Sequence, residues 1–163
     1  MSNIRINVFE KGAPVLGALS GFGRHLAQSS IETALLHLLY FRVSQINGCA
    51  FCLDMHAKDL RAVGETEQRL HVLPAWREAP FYSERERAAL EWAEALTRLE
   101  GSMVSDAVYA TAREQFSETE LIDLTLGVIA INSYNRLNIA FGAAVGTYRV
   151  GQFSQKTQPQ PQS

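Results

Sequence analysis

The sequence predicts an all-α fold of about seven helices. Three S-x-x-E motifs of the capping-box type begin at Ser29, Ser83 and Ser117, and each precedes an apolar-rich segment. Alternating polar and apolar residues, which are typical of a strand, occur only in the short run 4–8. A chain of 163 residues with 47% hydrophobic and 20% charged residues has the size and composition of one globular domain. We therefore predict a single helical domain over residues 1–153.

The helix boundaries follow from the capping motifs and from glycine and proline. In chain order, the predicted helices span 13–27, 31–46, 50–63, 66–78, 84–99, 105–115 and 118–145. The three capping motifs begin the second, fifth and seventh of these. Gly64 is predicted as the C′ residue that ends the third, and Pro74 and Pro80 break up the part of the chain that follows it. Residues 154–163 are rich in Gln and Pro and contain no large apolar residue, so we expect a disordered tail.

Two predicted helices are apolar around most of their circumference, so we do not expect them to lie on the protein surface with one face in water. They are the segments 33–46 and 121–145. A helix of this kind is buried in the core or against another subunit, and a small chain has limited core volume for two of them. We therefore predict a homo-oligomer. The second segment also carries Asn132, Asn135 and Asn138, which we expect to satisfy loop backbone groups or to line a subunit interface, with direct contact to the cysteines the less favoured alternative.

Charge and hydropathy exclude several classes of partner. The formal net charge is −2 and no basic run is present, so neither nucleic acid nor an anionic membrane is expected. The first ten residues lack the apolar core of a signal peptide, and polar residues within 121–145 argue against a membrane span. The two cysteines form one CxxC motif, and we expect it in a reducing cytoplasm, where such a motif is more often catalytic or metal-binding than structural.

The CxxC motif is the strongest candidate for chemistry. On a helix that starts near Cys49, Cys52 and His56 lie at i+3 and i+7, so the three side chains share one face. His56 is one turn from Cys52, within reach of its thiol proton, and the helix dipole favours a thiolate in the first turn. A thiolate can attack a peroxide and form a sulfenic acid, which the second thiol converts to a disulfide for reduction by an external dithiol. The histidine spacing favours Cys52 as the attacking residue, although general principles leave the order open.

Other interpretations of the same residues stay open. Cys49, Cys52, His56 and a further histidine could hold a tetrahedral zinc ion, but a second CxxC or an HxxxH motif is missing. The pair could be inert buried cysteines, or it could serve general thiol–disulfide exchange without a peroxide pocket. His37 lies in an apolar helix and, by itself, reads as a neutral core histidine.

The run SQINGCAFCLDMH at residues 44–56 closely resembles the AhpD-like alkylhydroperoxidases of the carboxymuconolactone decarboxylase superfamily. The matching run also includes Arg42 and Val43 before these residues, and the likeness as a whole covers most of residues 30–148. Its further matching segments are 64–70, 75–78, 81–83, 86–90, 123–125 and 131–138.

The resemblance implies an all-helical fold that forms homotrimers or homohexamers, and a hydroperoxide reductase that needs no metal or flavin. It implies that Cys52 is peroxidatic, that Cys49 resolves it and that His56 belongs to a proton relay. His37 stands where the family usually has a glutamate of that relay. Its imidazole can also pass protons, so the alternatives are a relay with a different pH profile and a weakened relay. The implied electron donor is a lipoyl- or thioredoxin-like dithiol. A lactone decarboxylase, like other members of the superfamily, is the alternative from another enzyme class.

Overall fold

The computed structural model describes residues 4–153 apart from the side chain of Ser102, and this part of the chain contains α- and 3-10 helices and no strand. The α-helices are α1 (Val8–Lys11), α2 (Ala13–Leu26), α3 (Thr33–Asn47), α4 (Ala50–Ala62), α5 (Glu67–Val72), α6 (Glu84–Arg98), α7 (Asp106–Gln115) and α8 (Glu118–Phe141). Two 3-10 turns lie at Leu73–Ala75 and Glu100–Ser102. The predicted all-α fold is confirmed, and the predicted disordered tail lies outside the described residues.

Two of the three predicted capping boxes are present. The Ser83 hydroxyl accepts a hydrogen bond from the Glu86 N–H at 3.2 Å, and the Glu86 carboxylate accepts one from the Ser83 N–H at 2.8 Å. Ser117 and Glu120 form the same reciprocal pair at the start of α8. Each box satisfies two N–H groups that a helix start leaves without partners. Gly64 has a positive φ of 92°, as its predicted C′ position after α4 requires.

The capping box predicted at Ser29 is wrong. The Ser29 hydroxyl donates to the Leu26 carbonyl at 2.8 Å and accepts from the Ile31 N–H, so it helps to end α2. Helix α3 begins only at Thr33, and its N-cap residue Glu32 has no side-chain capping bond. The Glu32 carboxylate instead pairs with Arg85 on α6 at 3.1 Å.

Three other boundaries differ from the prediction. The helix predicted over 66–78 ends at Val72 and continues as a 3-10 turn, because Pro74 cannot donate a backbone hydrogen bond. Helix α8 stops at Phe141, since Gly142 takes a left-handed conformation with φ 72°. The strand-like run 4–8 does not form a strand: the Arg5 N–H and the Arg5 side chain donate to the Phe141 and Ala140 carbonyls, and Val8 begins α1.

Helix α3 lies at the centre of the fold and packs against α4, α6 and α8. It contributes Leu39 and Val43 to one buried cluster, which also includes residues of α2, α6, α7, α8 and the start of α4. It contributes Leu38 and Phe41 to another, which also includes residues of α4, α5, α6 and the 73–82 segment. The apolar circumference of α3 is therefore satisfied within the single chain and requires no second subunit. Helix α8 differs, because Ile122, Ile129 and Ile139 on its surface are about half exposed or more.

A buried carboxylate joins α6 to the rest of this core. The Glu94 side chain is only 3% exposed, and it accepts hydrogen bonds from Arg42 at 2.7 Å and from the Trp76 indole at 2.9 Å. Arg77 and Arg98 donate to its other oxygen at 2.8 and 3.2 Å. Burial raises the pKa of Glu94, but the hydrogen bonds from Arg77, Trp76 and Arg42 outweigh it and lower the pKa to about 2.

None of the helices within residues 4–153 combines the length and the apolar character that crossing a bilayer requires.

Candidate active site

The junction between α3 and α4 positions the two cysteines. Gly48 ends α3 in a left-handed conformation with φ 69°, which glycine adopts without a steric penalty. The Cys49 N–H then donates to the Ser44 carbonyl at 3.1 Å. The chain reverses over these few residues, so α4 starts directly beside the end of α3. The Asn47-Gly48 pair thus sets where the CxxC motif begins.

Cys49 and Cys52 form a disulfide at the N-terminus of α4, with their Cα atoms 5.4 Å apart. Cys49 is the N-cap residue of α4, and its sulfur accepts a hydrogen bond from the Cys52 N–H at 3.4 Å. The predicted helix start and the stacking of both sulfurs in the first turn are therefore confirmed. The exposed fractions of Cys49 and Cys52 are 1% and 0%, so both sulfurs are sealed from solvent within the chain.

An asparagine on α8 contacts the sulfur of Cys52. The Asn138 side-chain amide donates a hydrogen bond to Cys52 Sγ at 3.3 Å. One turn earlier, Asn135 is fully buried and donates to the Ser44 hydroxyl at 3.1 Å. The Asn47 amide donates to Asn135 at 2.9 Å, which joins α3 to α8. The Asn135 and Asn138 amides thus bond to side chains in or beside the CxxC motif. The expectation that these two asparagines satisfy loop backbone groups is therefore wrong.

His37 and His56 form a second cluster together with Asp59. His56 lies one turn after Cys52 on α4, and its ring centre is 5.8 Å from that of His37 on α3. Asp59 Oδ2 lies 3.9 Å from His37 Nδ1 and 4.0 Å from His56 Nδ1. Within residues 4–153, neither ring nitrogen of His56 has a hydrogen-bond partner, and neither has Nδ1 of His37. His56 therefore does not hydrogen-bond to Cys52 while the disulfide is closed.

Burial decides the protonation of this cluster. Desolvation, with a smaller contribution from the nearby His37, lowers the pKa of His56 to about 3. Desolvation also lowers the pKa of His37, although the Asp59 carboxylate opposes it. Both imidazoles are consequently neutral at physiological pH. Neutral imidazoles and a carboxylate are donors that could hold a metal ion, and one potential ligand atom from each residue lies within 4.8 Å of the others.

The segment after α8 lies over α4 and fixes Asp59. The Tyr148 hydroxyl donates to Asp59 Oδ1 at 2.7 Å, and Lys58 Nζ donates to the Tyr148 carbonyl at 3.1 Å. Phe153 stacks on Tyr148 and on Phe9, with ring centres 5.6 and 5.4 Å apart. This segment, residues 142–153, thus closes the side of the site on which Asp59 lies.

In the structure, the four predicted site residues form two groups. Cys49 and Cys52 form the first with Asn138, and His37 and His56 form the second with Asp59. Sequence reasoning did not select Asp59 or Tyr148. Asp59 lies at i+3 from His56, a spacing that could have identified it, whereas nothing in the sequence links Tyr148 to α4.

The helical fold and the CxxC pair at the N-terminus of a helix define this protein as AhpD-like. The chain belongs to the carboxymuconolactone decarboxylase family, whose model matches residues 13–95. The uncharacterized protein YdfG of Bacillus subtilis (strain 168) is 43% identical over 138 residues, which are 85% of this chain and 94% of YdfG. The uncharacterized protein YnjA of Escherichia coli (strain K12) is 28% identical over 113 residues, 69% of this chain and 62% of YnjA.

Solved structures show the same fold. A protein of unknown function from Agrobacterium tumefaciens, proposed to be the antioxidant defence protein AhpD, is 35% identical, with a TM-score of 0.84 over 90% of this chain and 100% of that one. An uncharacterized peroxidase-related protein with an AhpD core from Ralstonia eutropha JMP134 is 17% identical, with a TM-score of 0.74 over 86% of this chain and 74% of that one. The second likeness shows the fold alone.

Proposed function

We propose that this protein is a cysteine-dependent hydroperoxide reductase that cycles between a dithiol and the Cys49–Cys52 disulfide. The observation that carries the proposal is the position of Cys52 in the first turn of α4, with the Asn138 amide donating to its sulfur. Helix N–H groups and an amide donor both favour a thiolate over a thiol. The antioxidant description proposed for the Agrobacterium relative supports the same activity.

The first half of the cycle oxidises Cys52. Its thiolate attacks one oxygen of the hydroperoxide, the O–O bond breaks, and an alcohol leaves after taking up a proton. Cys52 is then a sulfenic acid. The Cys49 thiol condenses with it, forming the S–S bond and releasing water, which is geometrically straightforward because the two residues already bond in the structure.

The second half of the cycle needs an external dithiol, for which a lipoyl- or thioredoxin-like donor is proposed. One donor thiolate attacks a sulfur of the disulfide, and the second donor thiol releases the reduced pair as the donor becomes oxidised. Both sulfurs are buried, so the peroxide and the donor each reach them only after displacement of the side chains that cover them. No metal or flavin has a step in this cycle.

The roles of His56 and His37 in moving the thiol proton remain predictions. The disulfide state contains no hydrogen bond from His56 to Cys52, and reduction must reorient one of the two side chains before a proton passes directly between them. The proposed cycle depends on the dithiol and Asn138, and it does not require His37 to replace a glutamate.

We also propose that the protein is cytoplasmic and forms homotrimers or homohexamers, with no nucleic-acid or membrane partner. The exposed Ile122 and Ile129 on α8 lie beside Tyr109 and form an apolar surface suited to a second copy. We expect light scattering to give a multiple of the 18.1 kDa chain mass. A monomer at micromolar concentration would contradict this part of the proposal.

Asn138→Leu tests the thiolate donor while keeping the side-chain volume. A hydrogen bond to a charged group contributes about 1.5–3 kcal/mol, so its loss should raise the pKa of the Cys52 thiol by about one to two units. We expect peroxide reduction at neutral pH to slow by about tenfold or more. The pH dependence of iodoacetamide alkylation in a Cys49→Ser background measures the shift.

Ser133→Ala on the exposed face of the same helix is the matched control. Ser133 bonds only to its own helix, through the Ile129 carbonyl, and the alkylation profile should not move. An Asn138→Leu profile that coincides with that of the control would remove Asn138 from the site.

General thiol–disulfide exchange is the second candidate, because it uses the same dithiol and the burial of the sulfurs leaves open which substrate reaches them. The ratio of second-order rate constants for cumene hydroperoxide and for a small disulfide decides between them. A faster reaction with the disulfide would favour the oxidoreductase. A lactone decarboxylase is the third candidate. Lactone decarboxylation that is retained in the Cys49→Ser, Cys52→Ser double variant would favour it.

A further inference from the structure

The buried polar atoms without partners are concentrated in one place. Across residues 4–153, the buried side-chain nitrogen and oxygen atoms that lack a hydrogen bond are His37 Nδ1 and both ring nitrogens of His56. Leaving such atoms unpaired costs about 1–3 kcal/mol each, so a native protein rarely leaves several side by side. An imidazole binds a metal ion through one nitrogen, so a single bound ion would satisfy one atom of His37 and one atom of His56.

A carboxylate oxygen completes the set of donors. The Tyr148 hydroxyl holds Asp59 Oδ1 and leaves Oδ2 directed toward the two imidazoles. The separations of 3.9 and 4.0 Å are too long for hydrogen bonds. Ligand atoms around a tetrahedral zinc ion, at bonds of about 2.0–2.2 Å, lie roughly 3.3–3.6 Å from one another. The three ligand atoms lie within 4.8 Å of one another, so side-chain rotations that shorten these separations by up to roughly 1.5 Å would close the cluster around an ion.

We propose that His37, His56 and Asp59 form a zinc site. Two imidazoles and one carboxylate are common zinc ligands, and they leave a fourth position for water. The site differs from a CxxC zinc site, because the sulfurs of Cys49 and Cys52 are bonded to each other and are not ligands. Tyr148 orients the carboxylate, as outer hydrogen bonds do at many metal centres.

The cluster has an open side through which an ion can enter. The His56 side chain is 7% exposed and that of Asp59 is 13% exposed, whereas that of His37 is 24% exposed. The ion would therefore reach the cluster past His37. Once bound, it would connect α3, α4 and, through Tyr148, the segment 142–153. Zinc should therefore raise the melting temperature of the oxidised protein, since it binds the folded chain.

Equilibrium dialysis of the oxidised protein against zinc, after removal of metals with a chelator, tests this inference. The disulfide form contains no free thiol, so bound zinc cannot be attributed to the cysteines. We expect one zinc ion per chain and a rise in melting temperature. His37→Gln and Asp59→Asn should each lower the zinc affinity at least tenfold, and Tyr148→Phe about tenfold through lost orientation.

His71→Ala is the matched control. His71 is an exposed histidine, 3.8 Å from Glu67 on the same helix, and its loss should not change zinc binding. The Cys49→Ser, Cys52→Ser double variant should also still bind. Circular dichroism establishes that each variant folds. Cobalt substituted for zinc should give the visible absorption of a tetrahedral site in the unmodified protein and in both of these control variants, and should not give it in His37→Gln or Asp59→Asn.

Absence of stoichiometric zinc, or equal binding by the unmodified protein and folded His37→Gln and Asp59→Asn variants, would overturn the proposal. Water would then be the species that satisfies the imidazoles. None of these measurements involves peroxide. A protein that binds no zinc but forms the disulfide with peroxide would refute only the zinc site, and the reverse result would refute only the proposed function.

Discussion

Cys52→Ser should abolish turnover of cumene hydroperoxide. The serine hydroxyl has the position of the thiol but cannot form a thiolate-like nucleophile at neutral pH or a sulfenic acid. The Asn138 amide can still donate to the serine oxygen, so the fold should be retained. The measurement is peroxide consumption with excess dithiol donor, together with the unfolding midpoint. A folded variant that keeps substantial activity would remove Cys52 from the peroxidatic role.

Cys49→Ser distinguishes the resolving residue from the attacking one. It should consume about one equivalent of peroxide per chain and then stop, because Cys52 becomes a sulfenic acid that no second thiol in the chain can condense with. Dimedone should trap that acid on Cys52, as peptide mass spectrometry would show. Dimedone trapping of a sulfenic acid on Cys49 in the converse Cys52→Ser variant would instead make Cys49 the attacking residue and Cys52 the resolving one.

Glu94→Ala should have the largest effect on stability. The variant leaves Arg42, whose side chain is 9% exposed, buried without its carboxylate partner, and it also removes the acceptor of the Trp76 indole. Breaking a buried ion pair by removing one partner costs about 3–5 kcal/mol. Urea unfolding at neutral pH measures this change in the free energy of unfolding.

Glu91→Ala is the matched control on the same helix. Glu91 is 33% exposed and lies 3.7 Å from Arg77, so its loss should cost less than about 1 kcal/mol. Equal destabilisation by the two variants would mean that the Glu94 network contributes no more than a surface pair.

The Glu94 carboxylate should also make the stability depend on pH in the acid range. Its pKa in the folded protein is about 2, below the ordinary value of about 4.3 for an unfolded chain. A lowered pKa contributes stability that is fully present above the unfolded value and is lost as the pH falls toward about 2. The free energy of unfolding of the unmodified protein should therefore fall over this range more steeply than that of Glu94→Gln. Parallel slopes would contradict the assignment.

Sequence motifs whose contacts lie within a few residues predicted the helix boundaries well. The capping boxes at Ser83 and Ser117 and the glycine after α4 place three boundaries near their observed positions. Ser29 shows why the same motif failed elsewhere, because its hydroxyl could also bond to the preceding helix. The pattern of α3 predicted burial correctly but could not distinguish a core from a subunit interface.

The candidate site was predictable to the extent that it lies on one helix. Cys49, Cys52 and His56 share α4, and their spacing determines their face. The contacts of Asn138 and Tyr148 depend on how α8 and the segment after it pack against α4, and helical periodicity carries no information about that packing. The closeness of His56 to His37 was likewise not predictable, because it depends on how α3 packs against α4.

The most direct test of the proposed function is a titration of free thiols in the reduced protein before and after one equivalent of cumene hydroperoxide, with intact mass on each sample. We expect rapid loss of both thiols and of the mass of their two hydrogens, which an intramolecular Cys49–Cys52 disulfide requires. Unchanged thiols and mass would contradict the hydroperoxide reductase and would favour disulfide exchange or decarboxylation.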